Sequence, residues 1–440
     1  MGIMILSHLY RFLTWIAAPL MIVWIHWRVV HSKEDKLRIR ERRGIASLPR
    51  PDDRPLVWIH AASNGEALSA LPVIDYLRGL DSSPTILVTT MTVTGAQLMA
   101  KRLPQGEGGR CIHQYIPYDH PAWIRRFHDY WRPDAVLWIE SELWPNHLRY
   151  IGALNIPAAL LNARLSERSV RRWQWRSIAI RWFRSLVSVF TVILAQTGRD
   201  KENFHVLGVS NVICAGNLKD LAPPLPHDPY ALEDLALCVG IRPVILYACT
   251  HDGEEEIAAH IHRELKSHYE NILSIIVPRH PKRARQLIDI MHKNGLKTAC
   301  RSAKMSPRLD TDIYIADTLG ELGLFYRFCD IAYVGNSLAH IKPGGGHNLM
   351  EPALLGCAII SGNNLHNFSV LAKEMPQARA CILVKNREEL MDALIMLMED
   401  QQKRNSLIDN ALHYANDKRS NGLDNILNSC ESIFKNARLI

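Results

Sequence analysis

The sequence predicts an α/β protein built from two doubly wound, Rossmann-like halves. Two observations carry that expectation. From residue 56 onward, short apolar runs alternate with amphipathic segments, the pattern of a parallel sheet covered by helices on both faces. The alternation stops at LAPPLPHDPY, residues 221–230, whose prolines mark a linker, and then restarts. The chain's 440 residues suffice for two domains of ordinary size, and 48% of them are hydrophobic, enough for a core in each.

In the first half, LVWIHAA, TILVTT, CIHQYI, DAVLWIE and AALLNAR read as strands. The helices between them are EALSALPVIDYLRGL, TGAQLMAKRL, a segment around AWIRRFHDYW, and one that follows Trp144-Pro145. In the second half the strands are PVILYACT, NILSIIVPR, DIYIADT, DIAYVGN, CAIISG and CILVKN. EEEIAAHIHRELKSHY, a helix from Pro281, and GELGLFYRFC lie between the first four. The expected domains are 44–220 and 231–440, joined by the linker 221–230. In such sheets ligands collect at the carboxyl ends of the strands, and two such halves suggest a ligand in the cleft between them.

Ahead of this core, residues 12–30 are the one membrane candidate. As a helix they would reach about 28 Å, against a hydrocarbon core of roughly 30 Å. Pro19, His26 and Arg28 weaken a spanning reading. Seven basic and three acidic residues follow between Arg28 and Arg43, which by the positive-inside rule keeps the bulk of the chain on the cytosolic side. Residues 1–43 are therefore expected to be an anchor, spanning the membrane or lying in its interface, followed by a basic juxtamembrane segment. The whole chain is basic, with 52 Lys+Arg against 44 Asp+Glu, which favours acidic partners without choosing among them. Nine scattered cysteines, odd in number and without a CxxC pair, argue against a disulfide framework and a structural zinc site.

Polar groups cluster where the predicted strands end. The first strand runs into HAASNGE. Ser63 and Glu66 fit a capping box, and a carboxylate in that place also suits a general base for a sugar hydroxyl; spacing leaves both open. WIESELWPN, with Glu140 and Glu142, suits a sugar or lipid pocket, or a plain strand end with Pro145 at the start of a helix. NARLSERS carries Arg164 and Arg168. It leads into RRWQWRSIAIRWFRS, where Arg171, Arg172 and Arg176 stand among three tryptophans. That stretch reads as an interfacial helix near anionic headgroups or as a solvated basic face.

In the second half, THDGE, Arg279-His280 and Thr318 follow successive strands, and Arg279 could pair bidentately with a phosphate or carboxylate. No metal is expected at these strand ends. Residues 333–352, YVGNSLAHIKPGGGHNLMEP, read as a strand, a glycine loop and a helix opening at His347-Asn348. Such a loop lets backbone N–H groups approach a phosphate, with Glu351 placed for a ribose hydroxyl. The plainer alternative is a mobile loop and a helix start.

Together, HAASNGE, YIPYD, ESELWPN, NARLSERS, GNLKD, THDGEEE, VPRHP, DTLGELG, GNS and GGGHNLMEP follow the order of a family pattern. Over nearly its whole length the chain resembles the 3-deoxy-D-manno-oct-2-ulosonic acid (Kdo) transferases of lipopolysaccharide assembly. The resemblance implies a GT-B glycosyltransferase fold with an N-terminal anchor in the inner membrane and catalytic domains facing the cytoplasm. It implies CMP-Kdo as donor, a phosphorylated lipid A precursor as acceptor, inversion at the anomeric carbon, no metal, no cofactor and no nucleic acid. Glu66 becomes the general base. Arg279, His280, Thr318, Gly335, Ser337, Gly346, Asn348 and Glu351 fall on the donor side; Glu142, Arg164, Arg168, Arg171 and Arg172 fall on the acceptor and membrane side. One departure stands out. Where the family tends to read Gly-Pro-His before Asn-Phe, this chain has Gly362-Asn363-Asn364-Leu365-His366-Asn367-Phe368, so Asn363 and Asn364 are not expected donor contacts. The rival readings are a non-hydrolysing sugar-nucleotide epimerase of the same architecture and a membrane-tethered sugar-nucleotide-binding protein.

Overall fold

The computed structural model describes residues 2–51, 54–103, 110–140, 142–338 and 344–440. It forms two compact units: residues up to 223 together with 419–440, and residues 224–418. The first unit holds strands β1 (Leu56–His60), β2 (Thr85–Thr90), β3 (Cys111–Tyr115), β4 (Ala135–Ile139), β5 (Ala158–Ala163), β6 (Val192–Ala195) and β7 (Val212–Cys214). They pair in parallel in the order β3-β2-β1-β4-β5-β6-β7. Every residue of β1, β2, β4, β5 and β6 is buried. Helices cover both faces, which is why these strands read as unbroken apolar runs. The winding reverses between β1 and β4, the point where doubly wound sheets open a crevice at the strand ends.

The second unit repeats the plan with β8 (Val244–Thr250), β9 (Leu273–Pro278), β10 (Thr298–Cys300), β11 (Ile313–Ile315), β12 (Ile331–Val334), β13 (Ala358–Gly362) and β14 (Ile382–Val384). Their order is β10-β11-β9-β8-β12-β13-β14, again all parallel, and the winding reverses between β8 and β12. Strands β6, β7 and β10 are absent from the sequence reading. They have only three or four residues each, too few for an alternation to register.

Two domain expectations are corrected. The second domain does not run to residue 440. Ile426, Leu427, Cys430, Ile433 and Phe434 are buried in the first unit's core with Ala67, Leu71 and Ile74 of the helix Asn64–Arg78. That helix needs apolar cover, and the chain's last turns supply it. The linker 221–230 does carry the crossing between units, but its end is already structured: Asp228 caps the helix Pro229–Val239 by accepting from the Tyr230 amide at 3.0 Å.

The N-terminal apolar stretch forms helices Gly2–Ile16 and Ala18–Val30, bent by 56°. Among the described residues no single helix is long and apolar enough to cross a membrane. One side of the pair docks on the first unit. The Tyr10 hydroxyl donates to Asp119 (2.9 Å), Asn146 Nδ2 donates to the Thr14 hydroxyl (3.0 Å), and Ile25 is buried with Tyr118 and Trp123. Phe12, Leu13, Trp15, Leu20, Val23 and Trp27 stay exposed.

The basic segment that follows is not a loose juxtamembrane stretch. Glu34 is buried and takes Arg42 Nη2 at 3.0 Å, Arg28 Nε at 3.0 Å and the Tyr118 hydroxyl at 2.8 Å. Arg42 also donates to the carbonyls of Met91 and Ile116. Glu41 pairs with Arg38 and accepts from the Tyr115 amide of edge strand β3 at 2.7 Å. Breaking a buried ion pair by removing one partner costs about 3–5 kcal/mol. A chain beginning at residue 31 is expected to keep a cooperative thermal transition, whereas one beginning at residue 44 melts well below it or is recovered aggregated. Matching melting temperatures would show that residues 31–43 are dispensable to the fold.

Three buried histidines stand on β1 (His60), on β3 (His113) and on the helix Pro121–Trp131 (His128). Burial lowers His60, His113 and His128 to about 3. Neither ring nitrogen of His128 has a partner among the described residues; the ring sits against Trp58 and Tyr150. Because the folded values lie below the unfolded value near 6.5, the unfolded chain takes up protons first as pH falls. The stabilisation is complete above about pH 6.5 and declines toward about pH 3, by up to about 1.4 kcal/mol per pH unit for each histidine. The thermal midpoint is expected to drop between about pH 7.5 and 5, and His128→Phe to make that dependence shallower. A midpoint that does not respond to pH would contradict this account.

Candidate functional site

In each unit the polar residues gather where the winding reverses. In the second unit that is the end of β8 and β12. Glu254 is buried, the first residue of the helix Glu254–Lys266. Its carboxylate accepts from the amides of His251 (3.0 Å), Asn336 (2.7 Å) and Ser337 (3.2 Å) and from the Tyr333 hydroxyl (2.8 Å). The Gly335 amide donates to the Ala248 carbonyl at 2.8 Å. The amides of Gly335, Asn336 and Ser337, just ahead of the glycine loop, are thus taken by the protein's own backbone and carboxylate. Gly335 is glycine for a packing reason: a Cβ there would lie 2.6 Å from Glu254 Oε2 and 3.0 Å from the Cys249 carbonyl oxygen. The Ser337 hydroxyl is also committed, donating to the Val334 carbonyl (2.7 Å) and accepting from the Gly362 amide (2.8 Å).

The glycine loop continues this packing. Gly346, at φ +78°, donates its amide to the Asn336 carbonyl at 2.7 Å, and a Cβ on it would collide with Leu365. The Asn364 amide donates to the Ser337 carbonyl and the Asn367 amide to the Gly345 carbonyl. The divergent segment 362–368 therefore braces the loop. The helix expected from His347 is a single turn, Met350–Ala353. Asn348 Oδ1 closes a turn onto the Met350 amide at 3.0 Å. So short a helix contributes little dipole, which removes that part of the anion argument.

The cationic group here is Arg279, exposed after β9, with its amide tied to the Thr250 carbonyl at 3.0 Å. Its charge acts on Glu351, His347 and His251. Burial pushes Glu351 up to about 7, with Arg279 opposing the rise. His251 and His347 stack with Nε2 atoms 3.2 Å apart, so one ring donates and the other accepts. Burial and neighbouring positive charge lower both, His347 to about 4. The His280 ring lies 5.7 Å from that of His251. Arg279, His280, Asn348 and Glu351 are thus brought to one edge, joined by His251 and His347. Thr318 is not among them. Its hydroxyl donates to Glu321, which Arg301 holds through two nitrogens, at the end of β11 with β9 intervening before β8.

In the first unit Glu66 is buried at the start of the helix Asn64–Arg78. Its Oε2 accepts from the Ala62 amide at 2.8 Å, and its own amide donates to Ser63 Oγ at 3.3 Å. The cap is therefore real, though displaced by one residue from the capping-box pattern. The carboxyl is also raised above its ordinary value, chiefly by burial and further by the charges of Glu140 and Glu142, against hydrogen bonds from Ser63 and Ala62. Glu140 pairs with Lys219 Nζ at 2.6 Å and accepts from Asn162 Nδ2 at 3.3 Å. Lys219 reaches back over Gly65, where a Cβ would sit 3.7 Å from its Cε. The sequence reading passed over Lys219; its signal was the GNLKD run at the last strand end before the linker. Glu142 lies exposed at the rim, its carbonyl accepting from Trp138 Nε1 at 2.9 Å.

Arg164, Arg168, Arg171 and Arg172 are all exposed beyond β5. The single helix expected over the Trp/Arg stretch is two, Glu167–Gln174 and Ser177–Val187. Trp173 and Trp182 turn inward onto the core, and Trp175 remains exposed, with Arg176 over its ring. Among the described residues no group of three or more His, Cys, Asp or Glu is placed to hold a metal ion.

Residues 37–221 match the family model described as 3-deoxy-D-manno-octulosonic-acid transferase (kdotransferase). The 3-deoxy-D-manno-octulosonic acid transferase of Rickettsia bellii is 34% identical, over 91% of this chain and 92% of the relative. That of Haemophilus influenzae is 31% identical over 90% and 92%. A probable mitochondrial one from Arabidopsis thaliana is 35% identical over 90% and 88%. Among solved structures, a glycosyltransferase from Rickettsia africae superposes with a TM-score of 0.59 at 13% identity, covering 88% of this chain and 100% of that one. The UDP-GlcNAc 2-epimerase of Neisseria meningitidis gives 0.57 at 14% identity, covering 86% and 100%. At those identities the structures share a fold and nothing finer.

If Glu254 holds the end of β12, then Glu254→Gln turns one acceptor into a donor facing an amide. A hydrogen bond to a charged group is worth about 1.5–3 kcal/mol. Hydrogen exchange in a peptide spanning residues 333–338 is expected to quicken in Glu254→Gln and in Gly335→Ala. Exchange at the wild-type rate in both would remove Glu254 from this role.

Proposed function

The chain belongs to the 3-deoxy-D-manno-octulosonic acid (Kdo) transferase family, and from that premise we propose how its residues divide the work. It is a Kdo transferase, a glycosyltransferase of lipopolysaccharide biosynthesis. We read it as a GT-B enzyme. The second unit takes CMP-Kdo, and the first presents the base to a phosphorylated lipid A precursor. An acceptor hydroxyl oxygen attacks the anomeric carbon of Kdo from the face opposite the phosphate. The bond from that carbon to the phosphate oxygen breaks with its electron pair, and CMP leaves as an anion. The hydroxyl proton passes to Glu66, and a single displacement of this kind inverts the anomeric centre.

The observation that carries this reading is the state of Glu66. Glu66 is buried at the start of the helix after β1, its Oε2 is held by the Ala62 amide, and burial and two nearby glutamates make it more basic than usual, which suits a general base. Arg279 faces the donor's negative charge and stabilises the departing CMP. Glu351 and Asn348 stand beside it for the nucleoside, and Gly335, Ser337 and Gly346 shape that edge from beneath through Glu254. The exposed apolar side of the N-terminal helices supports attachment to the cytoplasmic face of the inner membrane, lying in the interface and not spanning it. The exposed arginines from Arg164 to Arg172 favour an anionic acceptor.

Glu66→Gln tests the base. The amide keeps the size and can still accept from the Ala62 amide, but it cannot take the proton. Folding and CMP-Kdo binding are expected near wild type, with transfer reduced at least about a hundredfold. A variant that transfers Kdo at close to the normal rate, with chemistry limiting, would return Glu66 to a capping role and make Glu140 or Glu142 the next carboxylate to test.

A further inference from the structure

A groove of about 530 Å³ runs along the helix Gly2–Ile16, where it lies over the helices Pro121–Trp131 and Pro145–Ala153. Each helix sends one arginine into its lining: Arg11, Arg125 and Arg149. All three are exposed. Among the described residues Arg11 and Arg149 have no ion-pair partner, and Arg125 reaches only the exposed Asp129, one turn along its own helix, at 3.4 Å. Three positive charges from three elements line one groove, and the described ion pairs give only Arg125 a carboxylate. The remaining wall has an apolar part, with Phe12, Trp15 and Ile124, beside the polar groups of His8, Asn146 and Tyr150. Phe12 and Trp15 belong to the exposed apolar side of the helix that carries Arg11, so the groove is continuous with the surface read above as lying in the membrane interface.

We propose that this groove is a binding site for one anionic glycerophospholipid of the bilayer. Its phosphodiester is held by Arg11, Arg125 and Arg149, and the first methylenes of an acyl chain lie against Phe12, Trp15 and Ile124. Guanidinium groups suit a phosphate because they offer paired N–H donors in a plane. The apolar part of the wall suits an acyl chain because it removes methylenes from water. The site differs in kind from a diffuse basic surface: it binds one lipid saturably and requires both head and tail. The proposal rests on the interfacial placement of the N-terminal helices.

The test uses the full-length protein in two measurements. Flotation with vesicles of phosphatidylcholine alone reads the apolar side of the helices and therefore the interfacial placement. Calorimetric titration with dihexanoyl-phosphatidylglycerol below its micelle concentration reads the groove. One-to-one binding is expected, weaker by on the order of tenfold or more in Arg11→Ser/Arg149→Ser and unchanged in Arg171→Ser/Arg172→Ser, whose arginines lie outside the groove. Flotation of Arg11→Ser/Arg149→Ser on phosphatidylcholine is expected to match wild type. Equal losses in the two double variants, or inorganic phosphate binding as tightly as the lipid, would reduce the groove to part of a basic surface and overturn the proposal. Stoichiometric displacement of the short-chain lipid by the lipid A precursor would reassign the groove to the acceptor. Wild type that fails to float on any vesicle would overturn the interfacial placement, whatever the titration shows.

Discussion

The second unit's functional edge depends on a carboxylate that the protein supplies to itself. Glu254 gathers three backbone amides and a tyrosine hydroxyl from two neighbouring strand ends, and it fixes where β12 stops and its loop begins. The first unit has a counterpart at the same point of its winding. Glu66 also folds back on the turn between the first strand and the first helix, accepting from the Ala62 amide. The two differ in saturation. Glu254 is surrounded by donors, which stabilise its charge and leave it little to offer a substrate. Glu66 has fewer donors, and burial, followed by the charges of Glu140 and Glu142, raises its affinity for a proton. One motif, a carboxylate at a strand-to-helix turn, is a structural pin in one unit and, in the role proposed for it, a base in the other.

Backbone geometry marks the same places. Glu140, Asn162, Cys249 and Asn336 all have φ between +55° and +62°, a region that costs a non-glycine residue on the order of 1–3 kcal/mol. All four lie at or just past the carboxyl end of a strand beside a reversal of winding, and β5 and β8 shift register there. Local bonds hold them in place. Asn162 takes the Leu218 amide on Oδ1, and Asn336 is held by Glu254 at its amide and by Gly346 at its carbonyl.

The fold was legible in the sequence because most buried parallel strands are written as apolar runs long enough to stand out, and eleven of the fourteen strands among the described residues were read that way. The candidate site was legible as a set of strand ends, since that topology assigns them the ligand. Roles within the set were not. HAASNGE admitted a cap and a base at once, and the structure has the cap while leaving Glu66 basic. The glycine loop looked like a phosphate cradle because the sequence cannot say which acceptor an amide finds: Gly346 gives its amide to the Asn336 carbonyl, and the Gly335, Asn336 and Ser337 amides ahead of the loop go to Ala248 and Glu254. The Arg28–Arg43 stretch looked like a membrane-facing charge excess because pairing with Glu34 and Glu41 depends on contacts to Tyr115, Tyr118 and Met91, far along the chain. Spacing reports periodicity and local caps; it does not report which partner a charge finds across the fold.

The return of residues 419–440 to the first unit sets an order on how the molecule can be made. The helix Asn64–Arg78 emerges early in synthesis, but Ile433 and Phe434, which cover its apolar side, follow only after the whole second unit. About two hundred residues of that unit intervene, or roughly 10–40 s of translation at about 5–20 residues per second. Throughout that interval the nascent first unit carries an uncovered hydrophobic strip beside Tyr76, and the second unit, continuous in sequence, is complete before it. A holding chaperone therefore has a defined target and a defined moment of release, and a late stop codon would damage the unit encoded first.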